Sequence, residues 1–108
     1  MVSAETKKRA DDFLAESLTQ LRQLTFTQLS EWPDYPSKPP FDLVRPAGLE
    51  RYTYTLMKES LPTGAIRVAI QRYRYRFLGI GEMRACGFVI EPGGSTLPLT
   101  QKDLWALT

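Results

Sequence analysis

From Gln71 to Phe77 the chain reads Gln-Arg-Tyr-Arg-Tyr-Arg-Phe, and alternation this strict fits a β-strand and little else. Successive side chains of a strand point to opposite faces, so Arg72, Arg74 and Arg76 share one face while Tyr73, Tyr75 and Phe77 share the other. The twelve residues from Arg67 to Leu78 hold four arginines, two tyrosines and no acid. A sheet containing this strand shows its guanidinium row either to an anionic partner or to water. The rest of the chain must supply whatever covers the other face.

The covering element is legible at the start. Ser3 fits an N-cap, with Glu5 in the first turn where the helix dipole favours an acid. No Gly or Pro intervenes before Ser30. Ala10, Phe13, Leu14, Leu18, Leu21, Leu24 and Leu29 recur three or four apart, as one helical face requires, and Lys8, Asp12, Glu16, Arg22 and Thr27 occupy the other. The spacing predicts one amphipathic helix of about 25 residues, weakest at Thr25-Phe26-Thr27, where β-branching costs side-chain freedom. Proline then stops it: Trp32-Pro33-Asp34-Tyr35-Pro36-Ser37-Lys38-Pro39-Pro40 cannot be helical. With Pro46 and Gly48 this makes a long connection, which Trp32, Tyr35 and Phe41 are expected to pin to the body. Asp42-Leu43-Val44 reads as a short edge strand.

Glu50 to Lys58 alternates again, with Tyr52, Tyr54 and Leu56 on one side and Arg51, Thr53 and Thr55 on the other. Leu61-Pro62-Thr63-Gly64 is a turn, and Ala65 to Phe77 the second long strand. Its apolar positions change phase, from even at Ile66, Val68 and Ile70 to odd at Tyr73, Tyr75 and Phe77. Either a bulge near Gln71 flips the face or the two ends are buried on different sides, and the bulge is the favoured reading. Gly79-Ile80-Gly81 connects to a third strand over Glu82–Glu91, and Pro92-Gly93-Gly94-Ser95 turns again. Thr100, with Asp103 three residues on, caps a last short helix through Leu107. The expected fold is α+β, one domain over residues 1–108: a long N-terminal helix packed on a three- to four-stranded antiparallel meander, then a short C-terminal helix. In element order this resembles the double-stranded-RNA-binding domains and the small Alu-binding proteins of the signal recognition particle, and the helix-then-sheet order resembles the cystatins. Gln101-Lys102-Asp103 carries one lysine where the first group shows a lysine cluster, and the cystatin Gln-x-Val-x-Gly is absent.

The 108 residues carry a net charge of +2, unevenly spread. Residues 1–34 hold four basic and six acidic side chains, and residues 35–108 hold ten and six. The sheet half is locally cationic, and local charge steers charged partners. No apolar run approaches the roughly 18 residues that cross a bilayer, so no membrane partner is expected. The first residues lack the apolar stretch of a secretion signal and Cys86 has no second cysteine to pair with, so the expected location is cytoplasmic.

Histidine is absent, which removes the commonest general base, the usual partner of a Ser or Cys nucleophile and the commonest metal ligand. One cysteine cannot build a structural zinc site. Neither a Walker loop nor a dinucleotide fingerprint is present, so no cofactor or metal and no catalysis is expected. Binding remains. Arginine grips phosphate or carboxylate bidentately and stacks on bases, which makes Arg72, Arg74 and Arg76, with Arg67 and Arg84 beside them, candidates for contact with an acidic protein, a second copy of this chain or nucleic acid. The bland reading makes the same arginines a solvated outer face paired with Glu59, Glu82 or Glu91, the tyrosines facing the helix. Trp32, Tyr35 and Phe41 form the second candidate surface, a rigid aromatic loop suited to protein contact. Cys86 alternates with Phe88 and Ile90 and reads as core. The expectation is a non-catalytic protein-interaction domain, with an RNA- or DNA-binding module using the same arginines as the alternative.

Overall fold

The computed structural model describes residues 4–41, 43–75 and 81–99. Helices α1 (Ala4–Leu21) and α2 (Phe26–Ser30) precede strands β1 (Tyr52–Ser60), β2 (Ile66–Tyr75), β3 (Gly81–Ile90) and β4 (Thr96–Pro98). The strands pair antiparallel in chain order, so β1 and β4 are the two edges of a four-stranded meander. This is the α+β arrangement expected from the sequence. Ser3, Arg76 and the C-terminal helix expected between Thr100 and Leu107 lie outside the described residues. Among those described, no helix is long and apolar enough to cross a membrane.

The single 25-residue helix is in fact two. Leu24 N–H bonds the Leu21 carbonyl at 3.1 Å, tightening the last turn, and Thr25 then swings to an extended ψ of 161°. Its side chain accepts from Gln28 N–H at 3.1 Å while Gln28 Oε1 accepts from Thr25 N–H at 2.8 Å. This reciprocal capping box stabilises a fresh start more than a continued helix with β-branched residues at 25 and 27. The break leaves the apolar stripe in place: Ala10, Leu14, Leu21 and Leu29 are all buried.

Two turns of the same kind join the strands. Leu61 N–H bonds Ala65 C=O at 2.8 Å, and Glu91 N–H bonds Ser95 C=O at 2.8 Å. Each turn places proline second and glycine fourth, at φ +90° for Gly64 and +95° for Gly94. Proline pre-sets the turn, and the last loop residue needs a backbone that L side chains rarely adopt.

The sheet face beneath the helices carries Leu56, Ile66, Val68, Ile70, Phe88 and Ile90, which form the core with Leu14, Leu21 and Leu29. A smaller cluster of Ala10, Leu49 and Tyr52 continues it toward the far end. Asp42 lies outside the described residues, and Leu43 and Val44 form no strand. On the second face Gly87 is required by contact: a Cβ there would run into the Val68 carbonyl oxygen and would lie 2.6 Å from Leu99 Cδ1. Gly87→Ala is therefore expected to cost about 1–3 kcal/mol, as overpacking does, read as a lower urea midpoint at unchanged m.

The register decides the orientation of the arginines. Pairing runs without interruption from Tyr52↔Arg74 to Ser60↔Ile66 and from Ile66↔Ile90 to Tyr75↔Gly81, with no residue left over. There is no bulge near Gln71. Arg72 and Arg74 therefore share the inward face with Ile66, Val68 and Ile70, while Tyr73 points away and is exposed. The expectation that tyrosine faces the helix and arginine the solvent is reversed at these positions.

Candidate functional site

The inward arginines are held by acids. Arg72 is 1% exposed. Its Nη2 lies 3.2 Å from Glu82 Oε1 and 3.1 Å from Asp11 Oδ1, and its guanidinium sits 4.9 Å over the Tyr52 ring. Only the Glu82 contact has hydrogen-bond geometry. Arg74 reaches Glu82 at 3.6 Å, Arg84 donates to Asp11 at 2.9 Å, and Lys7 stands 3.8 Å from Glu82. Asp11 comes one position after the buried Ala10, so the helix face that packs on the sheet brings an acid with it. The result is a polar extension of the core that docks the first half of α1. Arg67 faces the other way and pairs with Glu59 across the β1–β2 ladder. Of the five arginines singled out, Arg72, Arg74 and Arg84 meet in one network, Arg67 stands apart, and Arg76 lies outside the described residues.

The aromatic-proline segment behaves differently. Trp32 and Phe41 turn inward, 6.1 Å apart, and pack against the core, whereas Tyr35 is 50% exposed. One end of the segment is tied to the sheet by Lys58. This buried ammonium donates to Trp32 C=O at 2.9 Å, Asp34 Oδ1 at 2.6 Å and Ser60 Oγ at 3.2 Å, one acceptor for each of its three protons. The Asp34 carboxyl is held below its usual range chiefly by the hydrogen bond from Lys58, then by that from Ser60. Tyr35 N–H adds a bond to Lys58 C=O at 2.8 Å. At the other end, Arg45 Nη1 donates to Tyr52 C=O at 2.6 Å. Between these ties residues 35–39, with Phe41 and Leu43, stand across from β1 as a strap, and the cleft behind it has a volume of about 340 Å³.

Tyr35, Lys38, Pro39, Phe41 and Leu43 wall the cleft on the strap side, and Tyr54, Thr55 and Leu56 form its floor. Tyr54 is anchored from beneath, its hydroxyl donating to Ala10 C=O at 2.9 Å and its ring edge-on to Phe13 at 4.8 Å. Burial pushes that hydroxyl up to about 12, so it stays protonated and a donor. Lys38 makes no ion pair with any described residue. The volume falls at the lower end of the roughly 300–1,000 Å³ typical of sites for small ligands.

Other chemistry is sparse. Cys86 packs against the core beside Ile70, and burial raises its thiol to about 11, which leaves it a poor nucleophile. Among the described residues no three His, Cys, Asp or Glu side chains gather as a metal site would require. Compared with protein-family models, curated proteins and solved structures, the chain matches none.

Sequence reasoning named the strap aromatics but not Lys58, Asp34 or the β1 edge. The signal for Lys58 was there: the alternation that puts Tyr52, Tyr54 and Leu56 inward continues to residue 58.

Proposed function

We propose that this domain is a non-catalytic protein-interaction module whose contact surface is the strap from Trp32 to Phe41 and the cleft behind it. The observation that carries the reading is the strap itself, tied to β1 at both ends and standing away from it between them, with Tyr35 exposed at its rim. A rigid, aromatic-bearing segment binds at little entropic cost. Arg72 and Arg74 serve the reading indirectly, by docking α1, because their guanidinium groups are engaged by acids inside the fold. For the same reason no observation favours nucleic acid over protein as the partner. The proposal sets the domain in the cytoplasm, which suits a single free thiol.

The test is photo-crosslinking with p-benzoylphenylalanine installed at Tyr35 or Lys38, compared with Lys8 on the outer side of α1 and Tyr73 on the second sheet face. Discrete adducts at 35 and 38, resistant to nuclease and absent at 8, are expected. Adducts confined to position 73, or no more at 35 and 38 than at 8, would remove the strap as the contact surface.

A further inference from the structure

In an antiparallel ladder, residues bonded to one neighbour alternate with residues whose N–H and C=O face away from it. The first turn fixes the phase in β1. Leu61 bonds Ala65, so Glu59, Met57, Thr55 and Thr53 bond β2, while Lys58, Leu56, Tyr54 and Tyr52 direct their backbone groups off the sheet edge. The ties at either end agree, since Lys58 C=O accepts from Tyr35 and Tyr52 C=O accepts from Arg45. Between them, the N–H and C=O groups of Tyr54 and Leu56 bond no described residue. Both residues lie on the floor of the strap cleft. An open edge is a template for another extended chain, and most proteins blunt it. Here the edge is closed at both ends and left open in the middle.

We infer that the cleft takes a short extended peptide, which adds to β1 as a strand of three or four residues by exchanging main-chain hydrogen bonds with Tyr54 and Leu56. This rests on the reading of the strap as the contact surface and names what it contacts. The occupant follows from the walls. Pro39, Phe41 and Leu43 offer an apolar wall, and Lys38 supplies a cation without an ion pair among the described residues, so the fitting segment carries both an apolar and an acidic side chain. A second copy of this chain fits worse. The span from Tyr52 to Lys58 is about 20 Å at roughly 3.3 Å per residue, and a full-length partner strand would collide with the ties at Tyr35 and Arg45.

The experiment selects binders from a displayed library of random linear heptapeptides against the full chain. The enriched sequences are then synthesised with and without N-methylation at alternate residues and titrated into 15N-labelled protein. Enriched peptides pairing an apolar with an acidic residue are expected, with the largest shifts at the Tyr54 and Leu56 amides. N-methylation, which deletes the donors, is expected to weaken binding about tenfold or more. Lys38→Glu should reverse the preference for acid. The inference falls if nothing is enriched over the bare support, if the N-methylated peptides bind equally well, or if sedimentation shows a dimer protected at Tyr54 and Leu56. Crosslinks at Tyr35 without peptide effects at Tyr54 and Leu56 would leave the strap as a contact surface and discard strand addition, whereas loss of both would discard both.

Discussion

Alanine in place of Arg72 is expected to lower the unfolding free energy by about 3 kcal/mol, at the lower end of the roughly 3–5 kcal/mol seen when one partner of a buried ion pair is removed. The lower end applies because the acids left behind are not orphaned. Asp11 keeps Arg84 at 2.9 Å, and Glu82 keeps Arg74 at 3.6 Å. What the variant loses is the stem packed under α1 and the contact with the Tyr52 ring. Arg72→Met separates packing from charge, since it keeps most of the volume. Nε and Nη1 of Arg72 have no hydrogen-bond partner among the described residues, so the network is only half satisfied and methionine is expected to lie within about 1 kcal/mol of the native chain. Urea unfolding of both variants settles the point. An alanine variant as stable as the native chain would mean that the network does not hold α1 to the sheet.

The same placement changes how a charge reversal should be read. Glutamate at Arg72 would set a third carboxylate against Asp11 and Glu82 in a site with almost no access to water. Loss of any binding in such a variant would report unfolding, so circular dichroism must accompany it. The exposed Arg84 is the better probe of surface charge.

The arginines illustrate what alternation conveys and what it leaves open. It divides Arg72 and Arg74 from Tyr73 with certainty, because the strand period is two. It does not say which set faces inward. Both residue types have apolar stems and polar tips, and both are tolerated on either side. The choice was made by residues far off in the chain, by Asp11 on α1 and Glu82 on β3, whose placement depends on the tertiary fold. An even-numbered apolar run through Ile70 continuing into Arg72 is the local sign that the face persists. A bulge near Gln71 would bury the tyrosines instead, but the uninterrupted register carries the face through. The helix break is a different case, because its signal was local. Thr25-Phe26-Thr27-Gln28 has the Thr-x-x-Gln spacing of a capping box, which outweighed an uninterrupted apolar stripe. The sheet, its two Pro-Xaa-Gly turns and the buried stripe of α1 were readable because each rests on neighbours in sequence. The strap cleft was not, because it exists only where two segments some twenty residues apart are tied together.

That tie gives the second large effect. Lys58→Met is expected to cost about 2–4 kcal/mol, because hydrogen bonds to a charged group contribute about 1.5–3 kcal/mol each and three are lost together. The full sum is not reached, since Asp34 and Ser60 stand where water can replace the ammonium. The dependence on pH has a definite sign. Asp34 titrates lower in the folded chain than its ordinary value of 3.8, so the stabilisation it shares with Lys58 is complete above that value and fades as pH falls through the lower, folded one. Native protein should therefore lose this part of its stability only below about pH 4, while Lys58→Met and Asp34→Asn should lack that component of the acid slope. Urea midpoints measured between neutral pH and pH 3 test it. Identical slopes in all three proteins would show that the ion pair does not persist in solution. The consequence extends to the cleft, since Lys58 fixes the strap through Trp32 and Asp34. With that end released, the strap residues Tyr35 to Pro39 lose the fixed position that keeps the Tyr54–Leu56 edge open. A folded Lys58→Met chain at a temperature well below its midpoint should then bind the selected peptides more weakly, although none of its cleft-lining side chains has changed.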